Sequence, residues 1–245
     1  MPPANLLITR PQPGASDLED ALRARFGADD LNIVCSPLMQ ITFDFPAPDL
    51  SDIKTLIFTS QNGVTGFARH FSRRDLPAYA VGDTTADVAR EHGFEVRSAG
   101  GDIHDLVALL KGDGVTGPCL HLRGTYVAGD MITALAEIGI AARQTVVYDQ
   151  VTLALNAAAR DLLARDQPVI VPLFSPRSVT LFFAAGPFKA PLHVIAISQN
   201  AADAVPEGAA RSVFVTDRPD GAHMLNAVLA ELARTNRVEG GNRAQ

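Results

Sequence analysis

The chain repeats itself. Phe58-Thr59-Ser60-Gln61-Asn62-Gly63-Val64 returns as Phe174-Ser175-Pro176-Arg177-Ser178-Val179, and Ala80-Val81-Gly82-Asp83-Thr84-Thr85-Ala86 returns as Ala196-Ile197-Ser198-Gln199-Asn200-Ala201-Ala202. Leu7-Ile8-Thr9-Arg10 is echoed by His121-Leu122-Arg123, and His104 and Leu106 by His223 and Leu225. The offset grows from 113 residues at Arg10/Arg123, through 116 at Phe58/Phe174, to 119 at His104/His223, so one unit is duplicated with small insertions. Each echo is an apolar strand running into a Ser, Thr, Asn or Gly turn and then a helix. In open α/β sheets ligands bind at that junction, so two such rims predict two lobes that face one ligand.

With 245 residues, the duplication predicts two domains of roughly 115 to 125 residues, each able to bury a core without disulfides or metal. An apolar content of 47% with 20% charged residues is that of a soluble globular chain. The longest apolar runs, such as 169–174, are far too short to span a bilayer. Residues 1–5 carry neither a basic n-region nor an apolar h-region, which predicts a cytoplasmic protein that makes no use of a membrane. A net charge of -6 with scattered basic residues argues against nucleic acid, which needs a cationic surface to release counterions. It leaves room for a small anionic ligand, because N–H groups at helix starts hold carboxylates without any lysine. Cys35 and Cys119 fall inside predicted strands and read as buried thiols; two cysteines make no disulfide framework.

Apolar runs ending in turn residues predict strands over 6–9, 32–37, 55–59, 79–82 and 95–98 in the first copy. Apolar spacing of three and four predicts helices over 16–26, 62–71, 84–92 and 102–110. The second copy has strands over 119–122, 144–148, 169–174, 193–197 and 212–216, and helices over 129–138, 156–165, 177–185, 200–205 and 220–234. Two stretches read as linkers: 42–52, with Pro46 and Pro48 among acidic residues, and 149–155. Residues 235–245 read as a flexible polar tail. Strand alternating with helix throughout predicts an α/β protein with parallel sheets covered on both faces.

The strand-to-helix rims carry small polar residues: Thr59, Ser60 and Asn62; Gly82, Thr84 and Thr85; Ser175, Arg177 and Ser178; Ser198 and Asn200. Helix capping explains any single such turn. Four in register point to a shared binding rim, with hydroxyls at the positive ends of helix dipoles. Arg10 before Pro11 and Arg123 before Gly124 end equivalent strands, and each is placed either to clamp a carboxylate or to form a salt bridge at a sheet edge. His104 and His223 occupy equivalent first helical turns and read as capping or packing groups. No His or Cys spacing resembles a metal site, and the Gly-x-Ser-x-Gly elbow and Walker glycine pattern are both absent. Tyr148, one of three tyrosines, ends a strand just where the chain enters the second linker. A phenol there serves as an uncharged proton donor or as a hinge tyrosine.

Leu7-Ile8-Thr9-Arg10-Pro11, Ser36-Pro37-Leu38, Ile57-Phe58-Thr59-Ser60-Gln61-Asn62-Gly63-Val64, Ala80-Val81-Gly82 with Thr84-Thr85-Ala86, and Val146-Val147-Tyr148 together resemble the uroporphyrinogen-III synthase family. The resemblance runs over about 6–232. It implies two similar α/β lobes, each a parallel β-sheet flanked by helices, joined by a two-stranded connection. It also moves the division of the chain. Duplication alone suggests a cut near Gly114, whereas the family crosses over and back, giving one lobe of 1–39 plus 152–245 and another of 40–151.

The activity implied is dehydrative cyclisation of hydroxymethylbilane, with inversion of its last pyrrole ring, to uroporphyrinogen III. By resemblance Tyr148 matches the family tyrosine that protonates the departing hydroxyl, Thr85 a hydroxyl facing the cleft, and Ser60 and Ser175 the paired rim serines. The fourth rim departs from the family, with Ser198-Gln199-Asn200-Ala201 where many relatives carry Gly and Thr. No cofactor is implied. The partner is an anionic tetrapyrrole met by a monomer, and a transient hand-off from hydroxymethylbilane synthase is compatible with it. Two other readings share the duplicated lobes: a non-enzymatic two-lobed small-molecule-binding protein, and, more weakly, a glycosyl- or nucleotide-transferring enzyme, for which no diphosphate grip is legible.

Overall fold

The computed structural model describes residues 3–26, 31–126 and 129–241. The chain opens with β1 (Ala4–Ile8), α1 (Gly14–Arg23), β2 (Leu31–Cys35) and β3 (Met39–Thr42). It continues through β4 (Thr55–Phe58), α2 (Gln61–His70), β5 (Ala78–Ala80), α3 (Asp83–Glu91), β6 (Val96–Ser98) and α4 (Ile103–Gly112). Then come β7 (Cys119–Gly124), α5 (Met131–Glu137), β8 (Ala142–Thr152), α6 (Ala157–Leu163), β9 (Val169–Leu173) and α7 (Pro176–Ala184). The last elements are β10 (Leu192–Ala196), α8 (Gln199–Asp203), β11 (Ser212–Val215) and α9 (Gly221–Gly241). None of these helices is long and apolar enough to cross a membrane, among the described residues.

The chain forms two compact units, Met1–Gln40 with Thr152–Gln245 and Ile41–Val151. The first holds a five-stranded sheet in the order β11-β10-β9-β1-β2, and the second a six-stranded sheet in the order β3-β8-β7-β4-β5-β6. Each unit therefore draws on both copies of the repeat. The first copy supplies β1 and β2 to one unit and β4 to β6 to the other; the second copy supplies β7 and β8, then β9 to β11. The strands within each sheet pair in parallel at β1/β2, β1/β9, β9/β10, β10/β11, β4/β5, β4/β7, β5/β6 and β7/β8.

Central strands are buried throughout, as strands covered on both faces must be: β9 and β4 have no exposed residue. In the first unit Leu6, Ile8, Val171, Val194, Phe182 and Val228 belong to one core. In the second unit the period of two along each strand divides the core. Leu56, Phe58, Leu120 and Leu122 pack with Phe67 and Val147 on one face, and Ile57 and Cys119 with Leu106 and Leu135 on the other. Phe58, Phe67 and Phe94 meet edge to face, with centroids 5.4 to 6.3 Å apart. Helix α2 lies close on the sheet because Gly63 and Gly66 share the face it presents. A Cβ on Gly63 would stand 2.7 Å from the Leu122 carbonyl oxygen, and one on Gly66 2.6 Å from that of Val147. Both cysteines carry thiols raised by burial, Cys119 to about 11 and Cys35 to about 12, the latter also donating to Glu19 at 3.1 Å.

Three segments differ from the sequence reading. β3 forms where no strand was expected, at the start of the first linker. β8 runs on to Thr152, through the first part of the second linker: Asp149-Gln150-Val151-Thr152 is polar and half exposed, so its strand character rests on backbone pairing rather than on burial. α9 extends to Gly241 over part of the expected tail, whose Arg and Glu residues are good helix formers. Residues 242–245 of that tail lie outside the described residues.

Candidate active site

In the six-stranded sheet, successive strands run one way from β4 to β5 to β6 and the other way from β7 to β8. The order reverses between β4 and β7, and the crevice beyond the carboxyl ends of those strands is where an open α/β sheet binds ligands. A cleft of about 510 Å³ opens there, with Thr59 and Ser60 after β4 and His121, Arg123 and Gly124 of β7 in its wall. That volume is in the usual range for small-ligand sites.

Ser60 ends the extended segment and caps α2, its Oγ accepting from the Asn62 N–H at 3.2 Å. Thr59 Oγ1 lies 2.9 Å from His121 Nε2. Of the two rim hydroxyls, one is spent on the helix and the other is held by an imidazole. Arg123 Nη1 donates to the carbonyl oxygens of Gly124 at 2.9 Å and Thr125 at 3.2 Å, while its Nε is buried without a partner. Self-bonding of this kind fixes the guanidinium at the crevice mouth.

Tyr148 reaches the cleft through an irregularity. Arg123 pairs with Val146, but Gly124 pairs with Tyr148, so one residue of β8 is skipped between them. A bulge of this kind re-aims a side chain. It places Val147 and Tyr148, consecutive residues, in the same core cluster and sets the Tyr148 ring over Gly124. A Cβ on Gly124 would come within 2.5 Å of Tyr148 Cζ, so only glycine admits the ring at this position. Tyr148 is 6% exposed and lines the cleft.

His121 is the residue the sequence reading left without a role. It is 3% exposed, and burial, reinforced by the Arg123 charge, pushes its pKa down to about 4. It is therefore neutral near pH 7. A signal for it was present: a histidine inside the apolar strand Cys119-Leu120-His121-Leu122, two residues before an arginine and so on the same strand face. Asp102, which caps α4 in a reciprocal box with Asp105, and His104 also line the cleft. Tyr126, 60% exposed, stands at the rim.

The structure thus brings together Thr59, Ser60, Arg123, Gly124 and Tyr148. It treats other expected site residues differently. Asn62 sits in the first turn of α2, and Gly82 caps α3 beside Val81 of the cleft wall. Thr84 is exposed on α3, whereas Thr85 is 7% exposed and buried with Ala86 and Ala89 on the core side of that helix. Thr85, the third residue of α3, does not line the cleft between β4 and β7.

In the other unit the order reverses between β1 and β9, and Arg10 and Ser175 follow those two strands. The Arg10 guanidinium lies over the Phe174 ring, 4.3 Å from its centroid, and burial lowers its pKa against the opposing effect of Asp17. Ser175 caps α7, and Ser178 is 3% exposed with its hydroxyl donating to the Ser175 carbonyl oxygen at 2.7 Å. Ser178 thus completes a capping box with Ser175. Arg177 is half-buried in the same first turn, and Ser198 caps α8, with Asn200 exposed beyond it.

Comparison with known proteins agrees with this architecture. The family described as uroporphyrinogen-III synthase HemD matches residues 20–226. A uroporphyrinogen-III synthase of Chlorobaculum parvum is 26% identical over 196 residues, which cover 74% of this chain and 78% of that one. Among solved structures, the uroporphyrinogen-III synthetase of Helicobacter pylori superposes with a TM-score of 0.67 at 19% identity, over 93% of this chain and 99% of that one. A mutant uroporphyrinogen III synthase of Thermus thermophilus gives a TM-score of 0.55 at 13% identity, over 95% and 99%. At such identities the two structures speak for the fold.

Proposed function

The chain belongs to the uroporphyrinogen-III synthase family, and from that premise we propose that it closes hydroxymethylbilane to uroporphyrinogen III, with the cleft between β4 and β7 handling the terminal ring. The observation that carries this reading is the bulge-set Tyr148 ring, packed on Gly124 at the switch point beside Thr59, Ser60 and Arg123. Tyr148 donates its phenolic proton to the terminal hydroxyl, which departs as water. The electron-poor carbon left behind is attacked by the last pyrrole ring at its already substituted α-carbon, giving a spiro intermediate. The older bond from that α-carbon to its methylene then breaks, the ring turns over, and the methylene carbon bonds to the free α-carbon, whose proton is lost to restore the proton balance.

Free hydroxymethylbilane closes spontaneously without inversion. The protein's task is therefore to hold the last ring in the orientation it would not choose, which is catalysis by positioning. That task suits a site of hydrogen-bonding groups with one arginine and with its carboxylate, Asp102, committed to capping α4. Substrate carboxylates accept hydrogen bonds from Arg123 and the α2 rim, and Arg10, Ser175, Arg177, Ser198 and Asn200 form the corresponding rim of the other unit. Action as a cytoplasmic monomer, receiving substrate from hydroxymethylbilane synthase, belongs to the same reading. The test is to generate hydroxymethylbilane in place from porphobilinogen and separate the oxidised porphyrin isomers. Type III product supports the assignment; type I product alone contradicts it.

A further inference from the structure

Two polar atoms in the wall of the cleft are buried without a partner among the described residues: His121 Nδ1 and Arg123 Nε. They belong to residues two apart on β7, on one strand face. The nearest strand residues of that face, Ile57 and Cys119, are packed in an apolar cluster, so a leucine at 121 would suit the surroundings and leave no orphaned nitrogen. An unpaired buried ring nitrogen costs stability. Positions where a chain keeps such a cost are expected at functional sites. The one hydrogen bond the ring does make goes to Thr59 Oγ1, at 2.9 Å. Ser60, next along the rim, has its oxygen committed to the α2 cap. Both hydroxyls keep a proton for a ligand, but of the two it is Thr59 that a buried side chain, rather than the helix backbone, holds in place.

Resting on the synthase reading above, we propose that His121 is a positioning residue: with its proton on Nε2 it donates to Thr59 Oγ1 and so directs the Thr59 O–H into the cleft as a donor to a substrate oxygen. A hydroxyl has one proton and two lone pairs; accepting from the imidazole on one lone pair turns the proton away from the ring, on the side where Thr59 lines the cleft. Burial and the neighbouring Arg123 keep the ring uncharged down to about pH 4, so the arrangement is constant through the neutral range. The same neutrality excludes His121 as the proton donor of the reaction near pH 7.

The experiment compares the wild-type chain with His121→Leu, His121→Gln, Thr59→Val and the double variant His121→Leu/Thr59→Val, reading kcat, KM, isomer ratio and melting temperature. Each of His121→Leu and Thr59→Val lowers kcat about ten- to a hundredfold, at or below what one oriented donor contributes, with KM within about twofold. Type I product rises as unaided closure overtakes the slowed enzyme. The double variant is no more than about twofold slower than the slower single one, because both changes break one link. His121→Gln, which keeps an N–H donor, recovers part of the rate, and His121→Leu melts no lower than wild type. Wild-type kcat in His121→Leu, or losses that multiply in the double variant, would overturn the proposal. So would a lower melting temperature with turnover per folded molecule intact, which is the signature of a purely structural histidine. If the leucine chain does not fold, His121→Gln is compared in the Thr59 and Thr59→Val backgrounds: a rate loss seen only when Thr59 is present supports the role, and an equal loss in both backgrounds, or none in either, overturns it. Wild-type protein that makes only type I product sinks the synthase reading itself, a result distinct from all of these.

Discussion

Acidification should destabilise the Ile41–Val151 unit through one residue. His121 has an ordinary pKa of 6.5 when unfolded and about 4 when folded, so the unfolded chain binds more protons between those values. Stability from this group is complete above pH 6.5 and is lost as pH falls through 4. From linkage, the loss between pH 7 and pH 4.5 is about 2 kcal/mol, approaching roughly 3 kcal/mol below pH 4. His121→Leu removes the term. Groups common to both chains cancel in the difference. Hydrogen exchange read over peptides spanning β4 and β7 reports on this unit alone, which matters because two units need not unfold together. Wild type and variant should differ little in pH response above pH 6.5, and the wild type should fall behind by about 2 kcal/mol at pH 4.5. Parallel curves down to pH 4.5, or a wild type that gains on the variant, would refute the claim that the imidazole is buried neutral.

Tyr148→Phe should lower kcat about ten- to a thousandfold with little change in melting temperature, the range for a general acid and just below it; unchanged turnover would remove Tyr148 from the chemistry. Gly124→Ala sets a Cβ 2.5 Å from Tyr148 Cζ, and displacing the ring by about 1 Å should cost on the order of a hundredfold in rate, measured as kcat at saturating substrate. Gly66→Ala drives a methyl to 2.6 Å from the Val147 carbonyl oxygen. Overpacking of this kind should destabilise the unit by about 1 to 3 kcal/mol, visible as a lower urea midpoint.

The repeat and the strand-to-helix turns were legible because buried parallel strands are continuous apolar runs and their turns need capping residues. Thr55–Phe58 followed by Ser60 shows both signals at once. β3 was not legible, since a four-residue strand beside Pro37 gains its order from pairing that local sequence does not announce. The same holds for Asp149 to Thr152 in β8. At the site, Ser60, Arg123 and Tyr148 could be picked out by type and position. Thr85 could not be placed, because a helix start offers a hydroxyl to solvent or to the sheet depending on rotation alone. His121 was passed over because one histidine in an apolar strand looks like a packing residue; only the topology, which sets β7 beside β4, brings its ring to Thr59. The bulge that carries Tyr148 over Gly124 is likewise a property of strand register and not of either strand's sequence.

The most direct measurement is the isomer partition of freshly generated hydroxymethylbilane, titrated against this protein from far below to above the substrate concentration. The type III fraction should rise with protein and approach completeness once protein is in excess, because every molecule is then folded on the enzyme before it can close unaided. A product that stays type I at every protein concentration would contradict the assignment outright.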